Sequence, residues 1–90
     1  MTHSLTFTGH ARAMLRERGI DRGWVERVVQ TPEWTKPDPA DPTVTRAFGR
    51  IAEHGGRTLR VVHIDDGMGR RIITVFFDRT RGSGPPGGPS

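Results

Sequence analysis

His10-Ala11-Arg12-Ala13-Met14-Leu15-Arg16-Glu17-Arg18-Gly19-Ile20 reads as a short helix with both ends marked. Thr8 supplies an N-cap hydroxyl, and Gly19 supplies the left-handed residue that ends the helix. At 100° per residue, Ala11, Met14 and Leu15 fall on one arc, with His10 at its edge and Arg18 near its centre. An arginine central to an apolar arc and a histidine beside it make this helix a candidate site. The competing reading is structural: Arg18, in the last turn, lays its stem on the core and caps carbonyls.

A second helix follows at once. Asp21 is its N-cap, Trp24, Val25, Val28 and Val29 share one face, and Pro32 stops it. Two helices joined only by Gly19-Ile20-Asp21 cannot bury their apolar faces on each other, so they require a sheet. Residues 33–43 carry Pro37, Pro39 and Pro42, which excludes a helix and a central strand. An ordered crossing loop is expected there, with Trp34 pinning it and Asp38 and Asp41 as solvated turn residues.

Three strands are expected next: Val44 to Ala52, Thr58 to Ile64, and Arg71 to Asp78. A turn at His54-Gly55-Gly56 separates the first two, and Asp65-Asp66-Gly67-Met68-Gly69 separates the last two. The third, with Ile72, Ile73, Val75, Phe76 and Phe77, is the most apolar and is expected to be central. Leu5-Thr6-Phe7 adds a short edge strand. The fold class is therefore α+β: two N-terminal helices on a three- to four-stranded antiparallel sheet. One domain is expected over residues 1–80, with 81–90 a disordered Gly/Pro-rich tail.

Alternation places Thr74 with Ile72 and Phe76, Arg60 with Thr58 and Val62, and Arg46 with Arg50. Hairpin register decides whether these sides coincide. A two-residue turn at Gly55-Gly56 would set Arg60 opposite Ile51, and a one-residue change reverses the faces.

The 90 residues include 14 Lys and Arg against 10 Asp and Glu, for a net charge of +4. Lys36 is the only lysine. An arginine bias suits bidentate phosphate contacts, though GC-rich coding gives the same bias without a function. No cysteine is present, which removes disulfide and thiolate–zinc chemistry. No run reaches membrane-spanning length and the N-terminus lacks a signal-peptide core, so a cytoplasmic protein is expected.

The blocks Thr-x-His-Ala-x-x-Met-Leu-x-Glu-Arg-Gly-Ile at 8–20, Trp-Val-Glu at 24–26, Gly-Arg-Thr-Leu-Arg-Val-Val at 56–62 and Ile-Ile-Thr-Val-Phe-Phe-Asp-Arg at 72–79, together with Pro32, carry a resemblance. Together they are similar to the bacterial domain-of-unknown-function family 4258, DUF4258. Such domains are grouped with the RelE, ParE and BrnT ribonuclease-toxin superfold. The resemblance implies an endoribonuclease that cleaves RNA by metal-independent 2′-hydroxyl transesterification. The reaction needs a proton acceptor, a proton donor and positive charge around the phosphorane.

By that resemblance His10 exchanges the proton, Arg18 and Arg60 hold the phosphate, and Thr74 positions it. Arg46, Arg50 and Arg57 are expected RNA contacts on or beside the strands. Arg57, Asp78 and Arg79 also match the family pattern, and a salt bridge closing the sheet end is the role expected of them. No cofactor is implied, and His3, His10, His54 and His63 lack metal-ligand spacing. A cognate antitoxin protein is implied as a partner beside RNA. The alternative function is a non-catalytic RNA-binding or protein-interaction module, favoured by the lack of a glutamate or tyrosine at obvious acid–base positions, tyrosine being absent from the whole chain.

Overall fold

In the computed structural model, residues 4–65, 67 and 69–78 are described. The element order is β1 (Ser4–Phe7), α1 (Gly9–Arg18), α2 (Arg22–Gln30), β2 (Trp34–Pro37), β3 (Val44–Ile51), a 3-10 turn (Ala52–His54), β4 (Arg57–Asp65) and β5 (Gly69–Phe77). The expected tail at 81–90 lies outside the described residues.

The helix ends follow their sequence signals. The Thr8 hydroxyl accepts from the Ala11 amide at 3.1 Å and donates to the Ile73 carbonyl at 3.1 Å, so the cap also ties α1 to the sheet. Gly19 ends α1 at φ 62°. Asp21 caps α2 by accepting from the Gly23 amide at 2.7 Å.

The sheet has five strands in the order β1-β5-β4-β3-β2. This corrects the expected three- to four-stranded antiparallel sheet in two respects. β1 pairs parallel with β5, while the other three pairings are antiparallel. The fifth strand is β2, inside the stretch read as a loop. Its Pro37 closes an edge strand, where the missing amide faces no partner, and Trp34 stacks on Phe48 at 5.1 Å. β4, not the more apolar β5, occupies the centre. β5 is covered instead by β1 on one side and β4 on the other.

The β3–β4 connection is longer than a two-residue turn. The 3-10 turn and the left-handed Gly55 and Gly56 (φ 69° and 73°) set Arg60 opposite Phe48, not Ile51. Arg46, Phe48, Arg50 and Arg60 therefore share one face. On β5 the pairing passes from Val62↔Thr74 to His63↔Ile72, so Ile73 is an extra residue. That bulge parts Ile72 from Thr74. Ile72 joins Val75 in the core, and Thr74 stays with Phe76 on the other face.

Both helices pack on a single face of the sheet. Ala11, Ile20, Val25, Val28 and Val29 meet Ala47, Ile51, Leu59, Val61, Ile72 and Val75 in one buried cluster. Each fully buried aliphatic side chain contributes roughly 1.5–3 kcal/mol. α2 comes so close that a Cβ built on Gly49 would lie 3.0 Å from the Val28 Cγ2. No described helix covers the opposite face.

Candidate active site

The uncovered face carries two cross-strand rows. Trp34, Phe48, Arg60 and Phe76 form one, and Lys36, Arg46, Val62 and Thr74 form the next. Arg60 and Thr74, both expected at the site, thus share this face with Arg46 and Arg50. Its arginines, however, already have carboxylate partners. Arg60 pairs with Asp78 at 2.9 Å, Arg46 with Asp38 at 3.2 Å, and Arg50 with Glu33 at 3.7 Å. The backbone amide of Ala40, and then Arg46, hold the Asp38 carboxyl below the usual carboxylate range. The rings are also engaged with one another, since Trp34 and Phe48 stack almost parallel and both are buried. Base stacking needs open ring faces.

The helical layer differs. Among the described cations, Arg12, Arg16, Arg18, Lys36, Arg57 and Arg71 form no ion pair with a described residue. Three of these stand on the ten-residue α1. Arg57, which opens β4, joins Arg18 in lining a cavity.

That cavity encloses about 230 Å³ at the C-terminal end of α1 and is lined by Glu17, Arg18, His54, Arg57 and Phe77. Its histidine is fixed by rings. His54 stacks on Phe77 with centroids 4.4 Å apart, and Trp24 of α2 leans on it at 5.7 Å. The Arg57 guanidinium lies 5.8 Å from the Phe77 centroid. The sequence folds this way because Gly19 releases the chain after Arg18, and the 3-10 turn delivers His54 beneath it just before Gly55 and Gly56. Residues bearing a carboxylate, an imidazole and two guanidinium groups therefore line one concave space.

The expected site residues other than His10 divide between these two places. His10 is exposed in the first turn of α1, on the helical layer, away from the face that bears Arg60 and Thr74. Eight residues separate it from Arg18, about 12 Å along the axis at 1.5 Å per residue. The structure brings Arg18 together with Arg57 rather than with Arg60 or His10. Arg18 lies on the apolar arc by angle but is exposed, because the last turn projects past the core to the cavity rim. Asp78 pairs with Arg60 and Arg57 lies over the Phe77 ring, while Arg79, the third residue of the expected bridge, lies outside the described residues.

Glu17 and His54, which also line the cavity, carry no clear sequence signal for it. Glu17 adjoins Arg18, but helical angle alone places it off the apolar arc. His54 reads as a turn residue until the β3–β4 register is known. Among the described residues, no three His, Asp or Glu side chains gather as metal ligands would, and no helix is long and apolar enough to cross a membrane.

Fold and cavity define a two-layer α+β domain with one sheet face that no described helix covers and a basic, histidine-bearing cavity on its helical side. The chain belongs to the family described as Domain of unknown function (DUF4258), whose model matches residues 7–77. No curated protein and no solved structure matches it.

Proposed function

We propose that the protein binds RNA with the cations of its helical layer and cleaves it in the cavity at the end of α1. The observation that carries this reading is the meeting of Glu17, Arg18, His54 and Arg57 around one space. Cleavage by a neighbouring 2′-hydroxyl needs a base, an acid and positive charge, and each is present in that set.

In the proposed reaction the Glu17 carboxylate takes the 2′-hydroxyl proton as the 2′-oxygen attacks phosphorus. The bond from phosphorus to the 5′-oxygen breaks, and the His54 imidazolium gives its proton to that oxygen. Arg18 and Arg57 stabilise the charge gathered on the phosphorane oxygens. The products are a 2′,3′-cyclic phosphate and a 5′-hydroxyl end. This keeps the ribonuclease activity that the sequence resemblance implies but assigns it to other residues.

The test is incubation of the purified chain with an end-labelled RNA oligonucleotide. A cyclic phosphate product is expected, with none from the same oligonucleotide carrying 2′-O-methyl groups. Cleavage of the 2′-O-methyl strand would overturn the mechanism.

A second reading, binding without cleavage, is favoured by the concentration on α1 of cations that form no ion pair with a described residue. RNA retained intact, with affinity falling as salt rises, would identify it.

A further inference from the structure

The outer edge of β1 holds a second surface, which shares no lining residue with the cavity proposed for cleavage. β1 ends the sheet, and along it opens a cavity of about 290 Å³ lined by Leu5, Thr6, Phe7, Arg12, Leu15 and Arg22. Its floor is apolar, because Leu5 and Leu15 are only partly buried against the core and Phe7 lies beneath them. Its two cations stand ready for new partners. Arg12 pairs with no described carboxylate. Arg22 lies 4.8 Å over the Phe7 ring and 3.6 Å from Glu26, in a pair exposed on both sides. Exposed pairs of that kind exchange for another carboxylate at little cost.

The backbone of β1 also has groups to offer. The Thr8 amide donates to the Ile72 carbonyl at 3.1 Å. Alternation along a parallel strand then turns the amides and carbonyls of Leu5 and Phe7 away from β5. The opposite edge, β2, closes on Pro37 and is blunted for further pairing.

We propose that the β1 edge takes an extended acidic segment of a partner protein as a sixth strand. Main-chain groups of the segment pair with Leu5 and Phe7, an apolar side chain fills the cavity floor, and flanking carboxylates meet Arg12 and Arg22. An apolar floor beside outward backbone groups suits a peptide better than a sugar–phosphate chain. The two arginines suit acidic side chains, and strand addition supplies the affinity.

The probe is an acetylated, amidated peptide of alternating valine and glutamate, compared with one carrying lysine for glutamate. In amide NMR spectra of the full chain, the acidic peptide is expected to shift Leu5, Phe7, Arg12 and Leu15 and to slow exchange of the Leu5 and Phe7 amides. Arg12→Gln with Arg22→Gln should weaken it roughly tenfold or more, as expected on losing charge-assisted hydrogen bonds. Leu5→Pro, which removes an outward amide, should abolish binding. Should that variant fail to fold, Arg12→Glu with Arg22→Glu provides the second test and is expected to prefer the lysine peptide. Equal binding of both peptides by the unaltered chain would overturn the proposal. So would shifts confined to Val62 and Phe76 on the uncovered sheet face, or no shifts at the solubility limit of the acidic peptide.

Discussion

Arg60 and Asp78 form a fastener at the end of the uncovered sheet face. Their Nη2 and Oδ2 atoms are 2.9 Å apart, and the Asp78 side chain is only 6% exposed. The Arg60 guanidinium lies 4.8 Å from the Phe76 ring centroid and 5.4 Å from that of Phe48. Its Nε is buried without a hydrogen-bond partner among the described residues. Asp78 is further fixed by its amide, which donates to the Thr58 carbonyl at 2.8 Å. An arginine held between two rings and on a buried carboxylate is placed to secure β5 against β4.

Arg60→Met is therefore expected to lower stability while sparing RNA cleavage per folded molecule. Removing the cation takes from the desolvated Asp78 carboxylate the guanidinium it faces, and breaking a fully buried pair costs about 3–5 kcal/mol. Arg60 is 23% exposed, which reduces the expectation to about 2–3 kcal/mol. Urea denaturation of the variant and of Arg60→Met with Asp78→Asn checks it. The double variant should recover part of the loss.

Substitution in the cavity should have the opposite signature. His54→Gln and Glu17→Gln are expected to slow cleavage by roughly 100- to 10,000-fold each, the usual range for a lost acid or base. His10→Ala, on an exposed first turn, should cleave at the unaltered rate. Rates from gel-resolved products, at matched circular dichroism, make the comparison. A His10→Ala protein as slow as His54→Gln would return the chemistry to the first turn of α1.

The contrast between His10 and His54 shows where the sequence stopped being legible. Signals within a few residues were readable, as with the Thr8 cap, the Gly19 terminator, the Asp21 cap and the valines of α2. Local bonds and helical angle decide those features. Pairing across the sheet was not readable, because it depends on the 3-10 turn at Ala52–His54 and on the extra residue at Ile73. A one-residue difference moves a side chain between faces. The same limit hid β2, whose prolines forbid only a central position, and hid Glu17 with His54. Arg60 and Thr74 do share a face, but sequence could not show that Asp78 already engages Arg60.

Buried His63 makes stability depend on pH. It is 4% exposed, and its Nδ1 has no hydrogen-bond partner among the described residues. Burial drives its pKa below the ordinary 6.5, against the opposing pull of Asp65 and with some help from Arg70. The folded chain therefore binds fewer protons than the unfolded chain just below the unfolded value. Stability from this group is fully present above about pH 6.5 and is lost as pH falls towards and through the folded pKa. Denaturant midpoints across pH 5–8 should fall on the acid side. His63→Gln, which has no imidazole to charge, should flatten that slope, and an unchanged slope would assign it to another group.

Gly49 sets how closely α2 approaches the sheet. A Cβ there would lie 3.0 Å from the Val28 Cγ2 and 3.8 Å from the Val28 Cβ and Cγ1. Val28 is 2% exposed and sits on a helix, where a β-branched side chain has essentially one rotamer. It cannot turn aside, so α2 must move outward or the side chain must strain. Gly49→Ala is expected to destabilise by about 1–3 kcal/mol, the usual cost of overpacking. Conformational entropy works the other way, because alanine in an extended strand orders more readily than glycine by about 0.4–1 kcal/mol. The clash should prevail because Val28 has no space to yield. Val28→Ala alone should also destabilise by leaving a cavity. The two together should cost less than their sum, since the new methyl then occupies part of the space vacated. Additive losses in a thermal denaturation cycle would show that Gly49 and Val28 do not meet.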